Sequence, residues 1–154
     1  MSSSSSTSTV EKTMVKVEEI AALAGYKVSR PAQMPDSIQV AFDMGGGRSQ
    51  NVFIHHAGAT AEGQDVVQFL SPCMVVKKGL FKGIGKSQAL NLLNRNANLL
   101  WGYFAVTSAG DTEGVMVCST QIVDTMEVEE FRAHVNYLAV IADGYEREHG
   151  LDQF

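Results

Sequence analysis

Residues that carry chemistry are scarce in this chain of 154: two cysteines, four histidines and one tryptophan. The cysteines, Cys73 and Cys118, stand far apart and no CxxC spacing occurs, so a cysteine-based zinc site has no support. Two thiols fit a reducing compartment. Neither HExxH nor a GxSxG elbow occurs. No apolar run approaches the ~20 residues needed to span a bilayer. The start, "MSSSSSTSTV", lacks the basic head and apolar core of a secretory signal. The expected location is therefore the cytoplasm, with no membrane partner. Positive charge is also short, with 12 Lys and Arg against 17 Asp and Glu, a formal net charge of -5. That field repels nucleic acid unless a local basic patch overcomes it. The densest basic stretch, Lys77, Lys78, Lys82 and Lys86, holds one aromatic, Phe81, and no arginine. It reads as a solvated loop, and nucleic acid is not an expected partner.

What is present suits one globular domain, at 45% hydrophobic and 19% charged residues. Residues 1–13 form a Ser/Thr-rich tract with little apolar surface to bury, which predicts a disordered tail. A single domain is expected over 14–150. Met14, Val17, Ile20, Leu23 and Ala24 keep helical spacing, with Thr13 as N-cap and Gly25 as stop. "SRPAQMPDS" reads as a loop. "SIQVAFDM", "NVFIHH" and "DVVQFLSPCMVV" alternate as strands, the first two joined by a turn at Gly45 to Gly47, the third bent at Pro72. Leu90, Leu93, Ala97 and Leu100 give the packing face of a second helix, which its asparagines disfavour and packing must hold. "YFAVTSA" and "EGVMVCSTQIV" form a hairpin. Val128, Phe131, Val135, Leu138, Ala142 and Tyr145 alternate three and four apart, which predicts a long closing helix. Asp124 and Glu127 resemble its capping box, and Gly150 ends it. The order α-βββ-α-ββ-α, with antiparallel hairpins, is an α+β sandwich.

"GLFKGIGKS", residues 79–87, ends like a phosphate-binding loop. The G-x-x-x-x-G-K-[ST] pattern needs its first glycine at position 80, where Leu80 stands; the glycines are Gly79 and Gly83. A loop of the wrong length does not close on one phosphate, so this is a connector whose Ser87 caps the next helix. His55 and His56 are neighbours on a strand and point to opposite faces, so they cannot chelate one ion. Cys118, in the apolar "VMVCST", is expected to be inert. Acid pairs such as Glu18–Glu19 and Glu129–Glu130 suit solvated helix faces. Catalytic, cofactor and metal residues are accordingly expected to be none.

The strand parities leave a residue of apolar surface. Ile38, Val40 and Phe42 beside Val52 and Ile54 suit a helix-covered face. Phe53, Val67 and Phe69 take the opposite parity, and Met116 alternates with Val115 and Val117. A sheet wet on one side should alternate more cleanly. Phe53, Val67, Phe69 and Met116 are thus the expected contacts for a client segment or for a second copy in a homodimer.

At "ALNLLNRNANLLWGYFAV", "GVMVCSTQIV" and "VEEFRAHVNYLAVIADGYE" the chain resembles the type III secretion chaperone-like domain, and within it the YbjN-type bacterial domain. The similarity spans roughly residues 14–148 through apolar positions. It implies a small acidic α+β domain that often dimerises, either holding an effector segment extended or acting as a regulator, with no catalytic residues. The expected function is a non-enzymatic protein-binding domain, chaperone-like or a regulatory adaptor. The alternative is a small-ligand or nucleotide-responsive module using the connector 79–87.

Overall fold

A computed structural model describes the backbone of residues 3–79 and 83–154, and side chains from residue 9 onward within those ranges. The elements run α1 (Ser3–Leu23), β1 (Val28–Ser29), β2 (Ser37–Gly45), β3 (Arg48–Ala59), β4 (Asp65–Lys77), α2 (Lys86–Asn96), β5 (Tyr103–Ala109), β6 (Thr112–Ile122), a 3-10 turn (Val123–Thr125) and α3 (Val128–Glu148). The expected α+β order holds, with the two-residue β1 added at one margin. The strands form one antiparallel sheet in the order β1-β2-β3-β4-β6-β5.

α3 is the central packing element. Its stripe of Phe131, Val135, Leu138, Ala142 and Tyr145 is buried against the sheet, because alternating steps of three and four keep one helix face aimed inward. The capping pair is Glu127 with Glu130, one turn later than Asp124 with Glu127: the 3-10 turn takes up Asp124, and the Glu127 N–H donates to Glu130 Oε2 at 3.0 Å. Gly150, at φ +65°, closes the helix, with the Leu151 N–H donating to the Glu146 carbonyl at 2.8 Å.

α1 departs from expectation at its start. It begins at Ser3, inside the tract read as a disordered tail, and Thr13 lies within it rather than at its cap. Thr13 is 4% exposed; its hydroxyl lies 3.0 Å from the Thr9 carbonyl and 2.6 Å from Asp65 Oδ2, and Val10 packs on the core. Contacts far away in sequence hold this turn, which composition could not reveal. Met14, Val17, Ile20 and Ala24 are buried as expected, whereas Leu23 is exposed.

Register decides which strand residues meet the helices. Ile54 pairs with both Ile38 and Phe69, so all three share the helix-covered face. The register shifts between Pro72 and Met74, which lets the expected bend form without leaving the sheet. At the far end Arg48 bonds Asp143 at 2.7 Å and reaches Glu146 at 3.4 Å, tying β3 to the last turns of α3. Gly102 is held tightly at φ +77°, where a Cβ would lie 2.1 Å from the Cys118 carbonyl oxygen. Only glycine lets the chain enter β5 there.

Candidate functional site

Two of the four expected contacts are inside the protein. Val67 and Phe69 are both 0% exposed, and Phe69 packs edge-on against Phe131 with ring centroids 5.6 Å apart. Their parity follows from the Ile54–Phe69 register, which opposes the one assumed from sequence. Phe53 and Met116 do lie on the other face, half-buried. Phe53 there starts a cross-strand row with Leu70, Cys118 and Tyr103. Leu70, and not Phe69, takes the outward place in β4.

α2 also differs from expectation. The helix ends at Asn96, before Ala97 and Leu100, and its leucines are turned the other way round. Leu92 is the buried one; Leu90, Leu93 and Leu100 are exposed, Leu100 by 79%. Ser87 does not cap it either: Gly85 occupies the cap, without a side-chain bond. Leu80, Phe81 and Lys82 of the connector lie outside the described residues. On its far side, the Ile84 N–H donates to Glu113 Oε2 at 2.8 Å.

α2 sits beside the margin of the sheet, at β5. Asn96 Oδ1 accepts the Phe104 N–H at 2.6 Å, and Asn96 Nδ2 donates to the Phe104 carbonyl at 3.2 Å. Both backbone groups of Phe104 therefore point away from β6. In an antiparallel pair this orientation recurs every second residue, so Val106 and Ser108 aim theirs at the open margin too. Among the described residues no hydrogen bond outside the β5–β6 pairing engages them. Edge strands are commonly blunted by charge, proline or a bulge. "YFAVTSA" contains no charge and no proline, and its pairing with β6 runs without a shift. Tyr103 and Val106 of the strand itself are exposed, as are Leu93 on α2 and Leu100 and Trp101 just ahead of β5. A charge-free open strand with exposed apolar neighbours is suited to pairing with another polypeptide.

The remaining titratable groups are mostly committed to packing. Cys73 and Cys118 are buried, which pushes the Cys73 thiol far up and the Cys118 thiol up to about 11. Neither is a thiolate near neutral pH, as a nucleophile would need to be. His56 meets Asp65 at 3.0 Å, and Asp65 also accepts from Thr13; these bonds hold the Asp65 carboxyl below its ordinary value. His55 is pushed down by burial and by the neighbouring His56, and its Nδ1 has no partner among the described residues.

His134 lies on α3, one position before Val135 of the buried stripe. It is buried, stacked on Phe69 at 5.4 Å with Trp101 at 5.6 Å, and bonded at 2.8 Å to Ser119 through Nδ1 and to Gln121 through Nε2. Burial lowers its pKa against the opposing pull of Glu130. Ser119 is 3% exposed, and this serine–histidine pair joins β6 to α3 where both residues line a cavity of about 340 Å³ with Trp101 and Tyr103.

Among the described residues, no group of three or more His, Cys, Asp or Glu is arranged to hold a metal ion, and no helix is long and apolar enough to cross a membrane. No protein-family model matches the chain, and no curated protein matches it significantly.

Proposed function

We propose that the chain is a non-enzymatic protein-binding domain, chaperone-like or a regulatory adaptor, that binds protein through its β5 margin and acts as a homodimer. The observation that supports this most is the open, charge-free backbone of Val106 and Ser108 on the edge strand, with Val106 itself exposed. A copy of this acidic chain carries the same net charge of -5, so two copies meet with least repulsion where charge is absent. In the proposed dimer two β5 strands run antiparallel about Thr107, so that Val106 and Ser108 of each copy satisfy one another. Holding a client or acting as a regulator is the role that the resemblance to secretion chaperone-like domains implies for such a dimer.

A stable dimer of this kind buries roughly 1,200–2,000 Å². Light scattering after size exclusion tests it. The wild type is expected at twice the chain mass. Val106→Lys, which puts a charge on an exposed position of the edge, is expected to give a folded monomer. A wild-type monomer that also binds no hydrophobic dye overturns the reading.

A further inference from the structure

A groove lies between α2 and α3, away from the open backbone of β5. Its cavity, about 250 Å³, is lined by Leu99, Phe104, Val140, Ile141, Gly144 and Tyr145. The Phe104 and Tyr145 rings, 5.5 Å apart between centroids, are both almost fully buried, so the floor is aromatic and fixed. Gly144 offers no side chain there, and a Cβ at that position would meet nothing within 4 Å.

Arg95 and Glu148 stand at the mouth of this groove and also line a second cavity of about 450 Å³, whose other walls are Ser87, Gln88, Asn91 and His149. One chamber is apolar and its neighbour is polar, with the Arg95–Glu148 ion pair at the junction. Arg95 is held in place from several sides. Its Nε donates to Asn91 Oδ1 at 2.9 Å, its Nη2 bonds Glu148, and its guanidinium carbon lies 5.5 Å from the Tyr145 ring centroid. Nη1 makes no hydrogen bond among the described residues. A guanidinium fixed at three sides with a free donor has lost little freedom still to lose on binding a carboxylate. Glu148 already demonstrates the chemistry: the bond to Arg95 holds its carboxyl below the ordinary range.

We propose that this groove binds a small amphipathic carboxylate, an aryl-alkyl or medium-length alkyl acid. Its apolar body lies over Phe104 and Tyr145, and its carboxylate sits on Arg95 at the junction with the polar chamber. Glu148 holds Nη2 and Asn91 holds Nε, so Nη1 is the guanidinium nitrogen left without a partner among the described residues. In the proposed complex this nitrogen donates to the ligand carboxylate, in competition with Glu148 for the same guanidinium. The proposal stands apart from dimer formation, since it uses no backbone of β5.

The probe is 4-phenylbutyrate, titrated into the isotope-labelled full chain and followed by the amide signals of Leu99, Phe104 and Gly144. The expected result is a saturable shift at those amides, with 4-phenylbutanamide binding at least about tenfold more weakly, the scale of one lost charge-assisted contact. Arg95→Gln is expected to weaken the acid to the level of the amide. Glu148→Gln removes the competing carboxylate and is expected to tighten it, which keeps the test decisive should the arginine variant fold poorly. Equal binding of acid and amide, weaker binding to Glu148→Gln, or no saturable shift up to about 10 mM overturns the proposal.

Discussion

The side-chain amide of Asn96 stands in for a strand residue beside Phe104, accepting its N–H at 2.6 Å and donating to its carbonyl at 3.2 Å. One asparagine at the end of α2 thus does for Phe104 what a seventh strand would do. It also ends there, which leaves Val106 and Ser108 open. Asn96→Leu removes both bonds and leaves two backbone groups at a partly buried position without partners. A net hydrogen bond contributes about 0.5–1.5 kcal/mol, so the expected loss is about 1–3 kcal/mol by denaturant unfolding. Asn96→Asp keeps the acceptor and loses the donor, and is expected to lose about half as much. Unchanged stability in both variants, with unchanged amide exchange at Phe104, would show that the contact does not hold the strand.

Phe69 and Leu93 exchange the roles that hydrophobicity alone assigns them. Phe69 is 0% exposed and Leu93 is 64% exposed. Phe69→Ala is expected to cost about 3–5 kcal/mol, because a buried ring leaves a cavity against Phe131 and His134. Phe131→Ala is expected to cost a similar amount. Leu93→Ala should change stability by less than about 0.5 kcal/mol in the monomer. Thermal and urea unfolding of the three variants provides the comparison. A Leu93 variant as damaged as the Phe69 variant would mean that α2 packs through its other face.

The buried His134 makes stability depend on pH with a definite sign. Its pKa in the folded chain is lowered by burial, while the unfolded imidazole takes up a proton near its ordinary value of about 6.5. Below that value the unfolded state binds more protons than the folded one. The contribution is therefore fully present above the unfolded pKa and is lost as pH falls through the folded pKa. Half-buried His55 is shifted the same way by burial and by His56, and adds to the slope. Unfolding free energy is expected to fall between about pH 7 and pH 5, and to fall less in His134→Gln. Parallel profiles for wild type and variant would remove His134 from the account.

Much of the architecture was legible locally. The alternating three-and-four spacing of α3 needs no partner to be recognised, because helix geometry alone puts those residues on one side. The turn at Gly45 to Gly47 is equally local, since all three glycines take positive φ, which other residues rarely adopt. Alternation in "SIQVAFDM" and "NVFIHH" likewise marked strands. These features together determined the α+β order.

Tertiary pairing decided the rest. β4 carries apolar residues on both parities, Val67 and Phe69 on one and Val66 and Leu70 on the other, so its sequence permits either face inward. The choice fell to the pairing of Phe69 with Ile54, set by a strand already committed to the core. α2 is short and rests at the sheet's margin, where burying Leu92 and placing Asn96 on Phe104 outweighs burying the more numerous Leu90, Leu93 and Leu100. Thr13 was ordered by Asp65, and His134 by Ser119 and Gln121, all partners at a distance in sequence. The open β5 margin and the groove beside Arg95 arise from which elements end where. A periodic pattern describes one segment's own geometry; what that segment meets depends on the register and length of all the others.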